Sequence, residues 1–164
     1  MAEIDTAKLL EEFSHLPRFP DGRINYAGSA RAAVLTCHVK CADEILMLKR
    51  SDFVGNNKGA WTIISGYIDE PKPLRQKVLE ELAEETGITE SGMVSLKLCQ
   101  PYAREYAEPA KTLVICPALA EFDCKPEIKL NWEHTEYKWM QIEEVKGNEA
   151  LARHYKSLLK VLQQ

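Results

Sequence analysis

Three glutamates, Glu81, Glu84 and Glu85, sit at i, i+3 and i+4 in a segment with helical patterning. At 3.6 residues per turn they fall within an arc of roughly 100°, so a helix would present them together. Val78, Leu79 and Leu82 cover a neighbouring arc and could be buried while the acids stay clustered. Like charges at these spacings weaken a helix by a few tenths of a kcal/mol per pair. Lys77 offsets little, because a Lys placed N-terminal to its Glu is the poorer orientation. A hard divalent cation reverses the balance: Mg²⁺ is held by a few carboxylates together with phosphate oxygens of a substrate. The turn at Gly66, just before this helix, would add backbone carbonyls to the same site.

The charge distribution points the same way. From Asp69 to Glu90 there are seven acids (Asp69, Glu70, Glu80, Glu81, Glu84, Glu85, Glu90) against three bases (Lys72, Arg75, Lys77). That one stretch accounts for the net charge of −4 of all 164 residues. A pI near 5.6 argues against non-specific grip on a nucleic-acid polymer or an anionic membrane. No apolar run approaches the ~18 residues of a spanning helix, and the first residues lack the pattern of a leader for export. Cys37, Cys41, Cys99, Cys116 and Cys124 are an odd number without paired ligand spacing. We read them as reduced core filler, with a cytoplasmic location as the expectation.

The elements that must position the acids follow from punctuation and periodicity. Residues 5–14 read as a short helix capped by Asp5, and His15 to Gly28 as a loop rich in Pro and Gly. Strands are expected at Arg31–Lys40, Glu44–Arg50 and Trp61–Ile64, the last ending at Ser65-Gly66. Pro71 and Pro73 introduce a helix to Thr86, closed by Gly87. Further strands are expected at Val94–Cys99, Thr112–Phe122 and Glu136–Met140, with Pro117 marking an edge position or a bulge. A last helix runs from about Glu149 to Leu162. The expectation is an α/β chain, a mixed sheet with helices on its faces. Residues 1–30 form an N-terminal helix-and-loop extension and 31–164 a single domain.

The run from Gly66 to Ile88 resembles the Nudix box: Gly, five residues, Glu, seven residues, Arg-Glu, an aliphatic, any residue, Glu-Glu, any residue, Gly, aliphatic. Gly66, Glu81, Leu82, Glu84, Glu85, Gly87 and Ile88 match in order and spacing. Two positions depart: Lys72 stands where the pattern has Glu, and Glu80 where it has Arg. Both reverse charge, in opposite senses, so an ion pair with exchanged polarity is expected between them. Ser65 replaces a common glycine, which should matter little because its carbonyl is the expected ligand.

The resemblance implies an α/β/α sandwich with the box helix on one side of a mixed β-sheet and the C-terminal helix completing it. It implies hydrolysis of a nucleoside diphosphate linked to another moiety, with Mg²⁺ or Mn²⁺ as cofactor. Glu81, Glu84, Glu85 and Ser65 would be metal ligands, with Glu84, Glu85 and Glu133 the catalytic candidates and Glu85 or Glu133 accepting a proton from water. Glu133 precedes Trp139 in a segment similar to one that supplies a further acid in the family, with Glu136 second and His134 taken as a loop residue. Arg31, Lys49, Arg50, Lys58 and Arg104 are candidates for the substrate's phosphates. Phe53, Trp61, Tyr67, Tyr102 and Tyr106 could stack on a base. The partner is a small nucleotide or other diphosphate; the resemblance leaves a homodimer open. The alternative is a Nudix-fold module that binds nucleotide without turnover; a Nudix-like isomerase would need a cleft cysteine in a motif not found here.

Overall fold

A computed structural model describes residues 3–164. Its centre is β1 (Arg31–Cys41), which runs parallel to β7 (Ala110–Phe122) over the whole register from Arg31↔Thr112 to Cys41↔Phe122. The other edge of β1 is shared. Its end pairs with β2 (Glu44–Arg50), and its middle pairs with β4 (Ile64–Tyr67) from Cys37↔Ile64 to Val34↔Tyr67. Beyond β2 lie β3 (Trp61–Thr62) and β8 (His134–Gln141). Beyond β7 lie β5 (Met93–Leu98) and β6 (Tyr102–Ala107).

Strand alternation divides the buried apolar residues into two cores. On β2, Leu46 and Leu48 enter one core while Ile45 and Met47 enter the other. The first holds Leu35, Cys37 and Val39 of β1 and Leu74, Val78 and Leu82 of α2 (Leu74–Thr86). The second is roofed by α3 (Ile142–Gly147) and α4 (Ala152–Leu162) through Val145, Leu158 and Val161. A mixed sheet between two helical layers is the expected α/β/α sandwich.

The N-terminal extension is woven into the first core. Helix α1 (Thr6–Leu10), capped by the Asp5 carboxylate, leads into a 3₁₀ turn at Glu11–Phe13, and Leu10, Phe13, Ile24 and Tyr26 are all buried. Thr6 Oγ1 donates to the Lys72 carbonyl at 2.6 Å and Tyr26 donates to the Ile68 carbonyl at 2.5 Å, so the extension braces both sides of the segment between β4 and α2.

The structure corrects several expectations. The strand expected at 61–64 is two strands interrupted at Ile63. Residues 102–107 form β6, which alternates half-buried Tyr102, Arg104 and Tyr106 with exposed partners. Ile142–Gly147 is a helix of its own, and the first turn of the last helix, Glu149–Leu151, is 3₁₀. Pro117 is at no edge, since β7 is central. It sits where β6 stops pairing at Ile115 and β5 starts at Ala118. Its carbonyl accepts from the Cys99 N–H at 2.9 Å on that side, where the missing proline N–H also points, so the ladder to β1 loses nothing. Of the five cysteines four are buried and Cys124 is exposed, all without disulfides.

Candidate active site

The register of β4 against β1 sets the geometry. Gly66 pairs with Leu35 and Ile64 with Cys37, and both β1 residues point into the α2 core, so Gly66 faces α2. The Glu81 carboxylate lies directly on it. A Cβ at position 66 would stand 2.3 Å from Glu81 Oε1 and 2.4 Å from its Cδ. The glycine opens the sheet to an acid from the helix. At the far end of α2, Gly87 takes φ 69° and its N–H bonds the Ala83 carbonyl, and the helix stops one residue after Glu85.

Burial controls the ionisation of these acids. Glu85 is 2% exposed, and its carboxyl is pushed up to about 9, first by burial, then by the charges of Glu133 and Glu81; the Ser65 backbone and Arg50 oppose this. Glu81 is pushed up to about 7, again by burial first and then by Glu84, with Lys77 opposing. Glu84 is exposed at the mouth. Glu85 Oε2 is buried without a hydrogen-bond partner. It lies 3.8 Å from Nε2 of His134, whose two ring nitrogens are likewise unpartnered. Burial lowers His134 to about 4, so the ring is neutral and no ion pair forms. His134 was expected in a loop; it is the first residue of β8 and is buried.

The segment after β7 docks on the end of α2. The Lys129 N–H donates to the Thr86 carbonyl at 2.8 Å and the Asn131 N–H to the Glu85 carbonyl at 3.4 Å. This brings Glu133 to the acid cluster, where Asn131 Nδ2 donates to its Oε1 at 3.2 Å. Among the described residues no three acid, histidine or cysteine side chains are drawn together tightly enough to cage an ion. The donor set nevertheless suits a hard divalent cation. It offers carboxylates desolvated against one another, one with an orphaned oxygen, beside a backbone turn.

The expected charge-exchanged pair is present. Lys72 Nζ lies 3.1 Å from Glu80 Oε1 and 3.2 Å from Glu70 Oε1. Gln76 also donates to Glu80 at 3.0 Å. Lys77, expected to offset the helix acids little, is buried at 6% exposure and bonds Asp69 at 3.3 Å and Glu70 at 3.2 Å. The salt links of Lys72 and Lys77 tie the turn after β4 to α2 and answer part of the negative charge of the segment.

These groups form one wall of a cleft of about 1190 Å³. Ser65, Tyr67, Glu81, Glu84 and Glu133 line it together with Arg50 and Arg104. Arg50 is held by Asn56, and Arg104 by the Arg153 carbonyl at 3.2 Å. Tyr67 stacks on Tyr26 with centroids 5.2 Å apart. Two expected phosphate ligands are engaged elsewhere: Arg31 pairs with Glu12 at 3.1 Å and Lys49 with Glu136 at 3.3 Å. Both sit on the ends of strands where a nearer acid takes the charge. Phe53 is 86% exposed on the loop after β2, and Trp61 packs against the α4 core. Sequence reading missed Lys111 and Arg153, which line the cleft. The Tyr102-x-Arg104-x-Tyr106 alternation was the available signal for this wall.

A family model described as the NUDIX domain matches residues 14–163. The mouse protein named bis(5'-nucleosyl)-tetraphosphatase [asymmetrical] is 34% identical over 104 residues, covering 62% of this chain and 66% of that one, just under two thirds of its length. The crystal structure of a MutT protein from Methanosarcina mazei Go1 superposes with a TM-score of 0.66 at 25% identity, over 80% of this chain and 93% of that one. A C. elegans Ap4A hydrolase in a binary complex gives a TM-score of 0.57 at 23% identity, over 80% and 93%, and shares the fold.

Three outcomes are expected. Gly66→Ala displaces the Glu81 carboxylate, so Mn²⁺ affinity by calorimetry falls while circular dichroism stays native; unchanged affinity would show that the acid does not need this opening. In a cycle on Lys72 and Glu80, each charge reversal alone lowers Tm and Mn²⁺ affinity, and the double reversal recovers both; strictly additive losses would mean the two act separately. In EDTA, stability falls as pH rises. The folded chain keeps its protons on Glu81 and Glu85 up to about 7 and about 9, whereas the unfolded chain loses them near 4.5. Tm should therefore decline from about pH 5 to pH 8, and Glu85→Gln should flatten that decline. A Tm that climbs across this range contradicts the buried-acid arrangement.

Proposed function

The chain belongs to the Nudix family, and from that premise we propose that it is a metal-dependent hydrolase of nucleoside polyphosphates, cleaving a phosphoanhydride bond in a dinucleoside polyphosphate. One observation carries the reading. Glu81, pushed up in pKa by burial, lines a cleft that Arg50, Arg104, Lys111 and Arg153 also line, and one turn on in the same helix Glu85 is buried, pushed up further and left with an unpartnered oxygen. Carboxylates in that state suit a divalent cation, and the cations lining the same cleft suit a polyphosphate. The substrate class draws on the mouse and rat relatives named asymmetrical tetraphosphatases. The volume of the cleft supports it too, since about 1190 Å³ exceeds an ordinary single-ligand pocket.

Glu81, Glu84, Glu85 and the Ser65 carbonyl would hold Mg²⁺ or Mn²⁺. When bound, such an ion neutralises phosphoryl oxygens and acidifies water. The chain's own residues do the rest. Arg50, fixed by two bonds to Asn56, and Arg104, fixed by the Arg153 carbonyl, hold phosphate oxygens with little ordering left to do. Glu133 is the candidate base. Its Oε1 already accepts from Asn131, leaving Oε2 to receive a proton from attacking water. Glu85 is better suited as a ligand, because without a cation it keeps its own proton. His134, buried and neutral 3.8 Å from Glu85, adds no positive charge to it.

The test is a panel of dinucleoside polyphosphates, nucleotide sugars and nucleoside triphosphates, with Mn²⁺ or EDTA. We expect metal-dependent cleavage, greatest on the dinucleoside polyphosphates. Glu85→Gln should lower kcat by about 10²–10⁴-fold without altering the fold. Nucleotide binding without turnover under every condition would identify the chain as a binding module instead.

A further inference from the structure

Glu133 has to aim its carboxylate from a stretch that the strand ladder does not reach. It lies one residue outside β8, and the β2–β8 register shifts between Lys49 and Arg50, the partners of Glu136 and His134. Trp132 before it is 66% exposed, so packing does not seat the turn from that side. Leu130 is the last residue ahead of the turn to pack against the α2 core. Hydrogen bonds are what remain to fix residues 131–133.

Asn131 supplies most of them. Its N–H donates to the Glu85 carbonyl at 3.4 Å, and its own carbonyl accepts from the His134 N–H at 3.3 Å. The side chain closes a tighter ring. Oδ1 accepts from the Glu133 N–H at 3.1 Å, an Asx turn of the kind that asparagine and aspartate both form. Nδ2 of the same amide donates to Glu133 Oε1 at 3.2 Å. A backbone N–H can meet only the oxygen of the amide, so its two partners settle which way the group faces. One planar group thus grips the backbone and the carboxylate of the same residue. The Ser51 N–H adds a further point, donating to the Glu133 carbonyl at 2.8 Å, one residue from Arg50. An amide orients a carboxylate without bringing a positive charge to it, as lysine or arginine would.

We infer that Asn131 is a positioning residue: its amide sets the direction of the Glu133 carboxylate, and its backbone ties that carboxylate to the turn of α2 that carries Glu85. The inference deepens the proposed hydrolysis and rests on it for the part Glu133 plays as base. A base must meet its water within hydrogen-bond reach, and a misplacement of about 1 Å costs on the order of 10²-fold. A glutamate side chain rotates about several bonds, so holding one oxygen confines the other to a narrow range of directions. Asparagine and aspartate part company here. Aspartate makes the same turn but sets a carboxylate against a carboxylate.

Asn131→Asp separates aiming from turn formation. With diadenosine tetraphosphate and Mn²⁺, we expect kcat to fall about 10–10²-fold while KM and Tm stay as they were. In a chain already slowed by Glu133→Gln, adding Asn131→Asp should cost nothing further, because Asn131 acts through Glu133. NMR of the full chain in EDTA gives a readout without turnover. The Asn131 side-chain N–H that faces Glu133 should exchange slowly with solvent and resonate downfield, and Glu133→Ala should abolish both properties while the Asn131 backbone signal is retained. The inference is overturned if Asn131→Asp keeps full kcat, if it lowers Tm together with kcat, which marks a structural turn, if the losses at the two positions add in full, or if the amide signal ignores Glu133→Ala. A chain that cleaves no dinucleoside polyphosphate yet shows the Glu133-dependent amide signal would sink the proposed reaction and leave the positioning contact standing.

Discussion

The arrangement depends on keeping carboxylates out of water beside one another. A lone buried carboxylate takes a proton, and two neighbours raise each other further. Glu81 is raised to about 7 by burial and then the Glu84 charge, and Glu85 to about 9 by burial and then the charges of Glu133 and Glu81. The surrounding structure has to hold that unfavourable set in place. Leu74, Val78 and Leu82, all at 0% exposure, anchor α2 to the sheet, and burying each such side chain contributes on the order of 1.5–3 kcal/mol. The apolar stripe of the helix therefore fixes the position of its acidic stripe. A site of this kind sits at a local minimum of stability that the core offsets.

The cations of the segment are arranged to leave the acids incompletely neutralised. Lys77 is buried between Asp69 and Glu70, and the part-exposed Lys72 bridges Glu70 and Glu80, so both bind acids flanking the cluster. Lys77 still opposes the rise in Glu81, but burial outweighs it. A lysine bonded directly to Glu85 would lower its carboxyl and occupy its free oxygen. The neighbour at that position is instead a neutral histidine at 3.8 Å. The free oxygen of Glu85 is thus left unoccupied by any of these lysines.

The parts legible in the sequence were those encoded locally. Helix α2 could be read because its apolar stripe, Pro73 and Gly87 each act within a turn. The Lys72–Glu80 contact could be inferred because two opposite departures from one motif lie eight residues apart. Long-range pairing was hidden. Nothing near Arg31 or Lys49 reveals that Glu12 and Glu136 will take their charges, since those partners arrive from the extension and from β8. Pro117 reads as an edge residue by the usual rule, and only the handover from β6 to β5 makes it acceptable at the centre of a sheet. The burial of Lys77 also depends on a turn, Asp69-Glu70, folding back over the helix.

The exchanged polarity of Lys72 and Glu80 has a consequence for the helix itself. With arginine at position 80 the helix would carry a cation next to Glu81; with glutamate it carries four acids at 80, 81, 84 and 85. Glu80 is bonded by Lys72 and Gln76, so its charge is met by groups other than the ones at Glu81 and Glu85. An arginine presents a planar fork that fixes direction as well as charge, whereas the ammonium of Lys72 is a point charge shared between Glu70 and Glu80. The exchange thus retains the link between the turn and the helix but relaxes its direction. Orientation of α2 then falls to features the motif does not contain: the Thr6 bond to the Lys72 carbonyl, the burial of Lys77, and the docking of 129–131 on the last turn. The N-terminal extension is therefore among the contacts that hold the segment leading into α2.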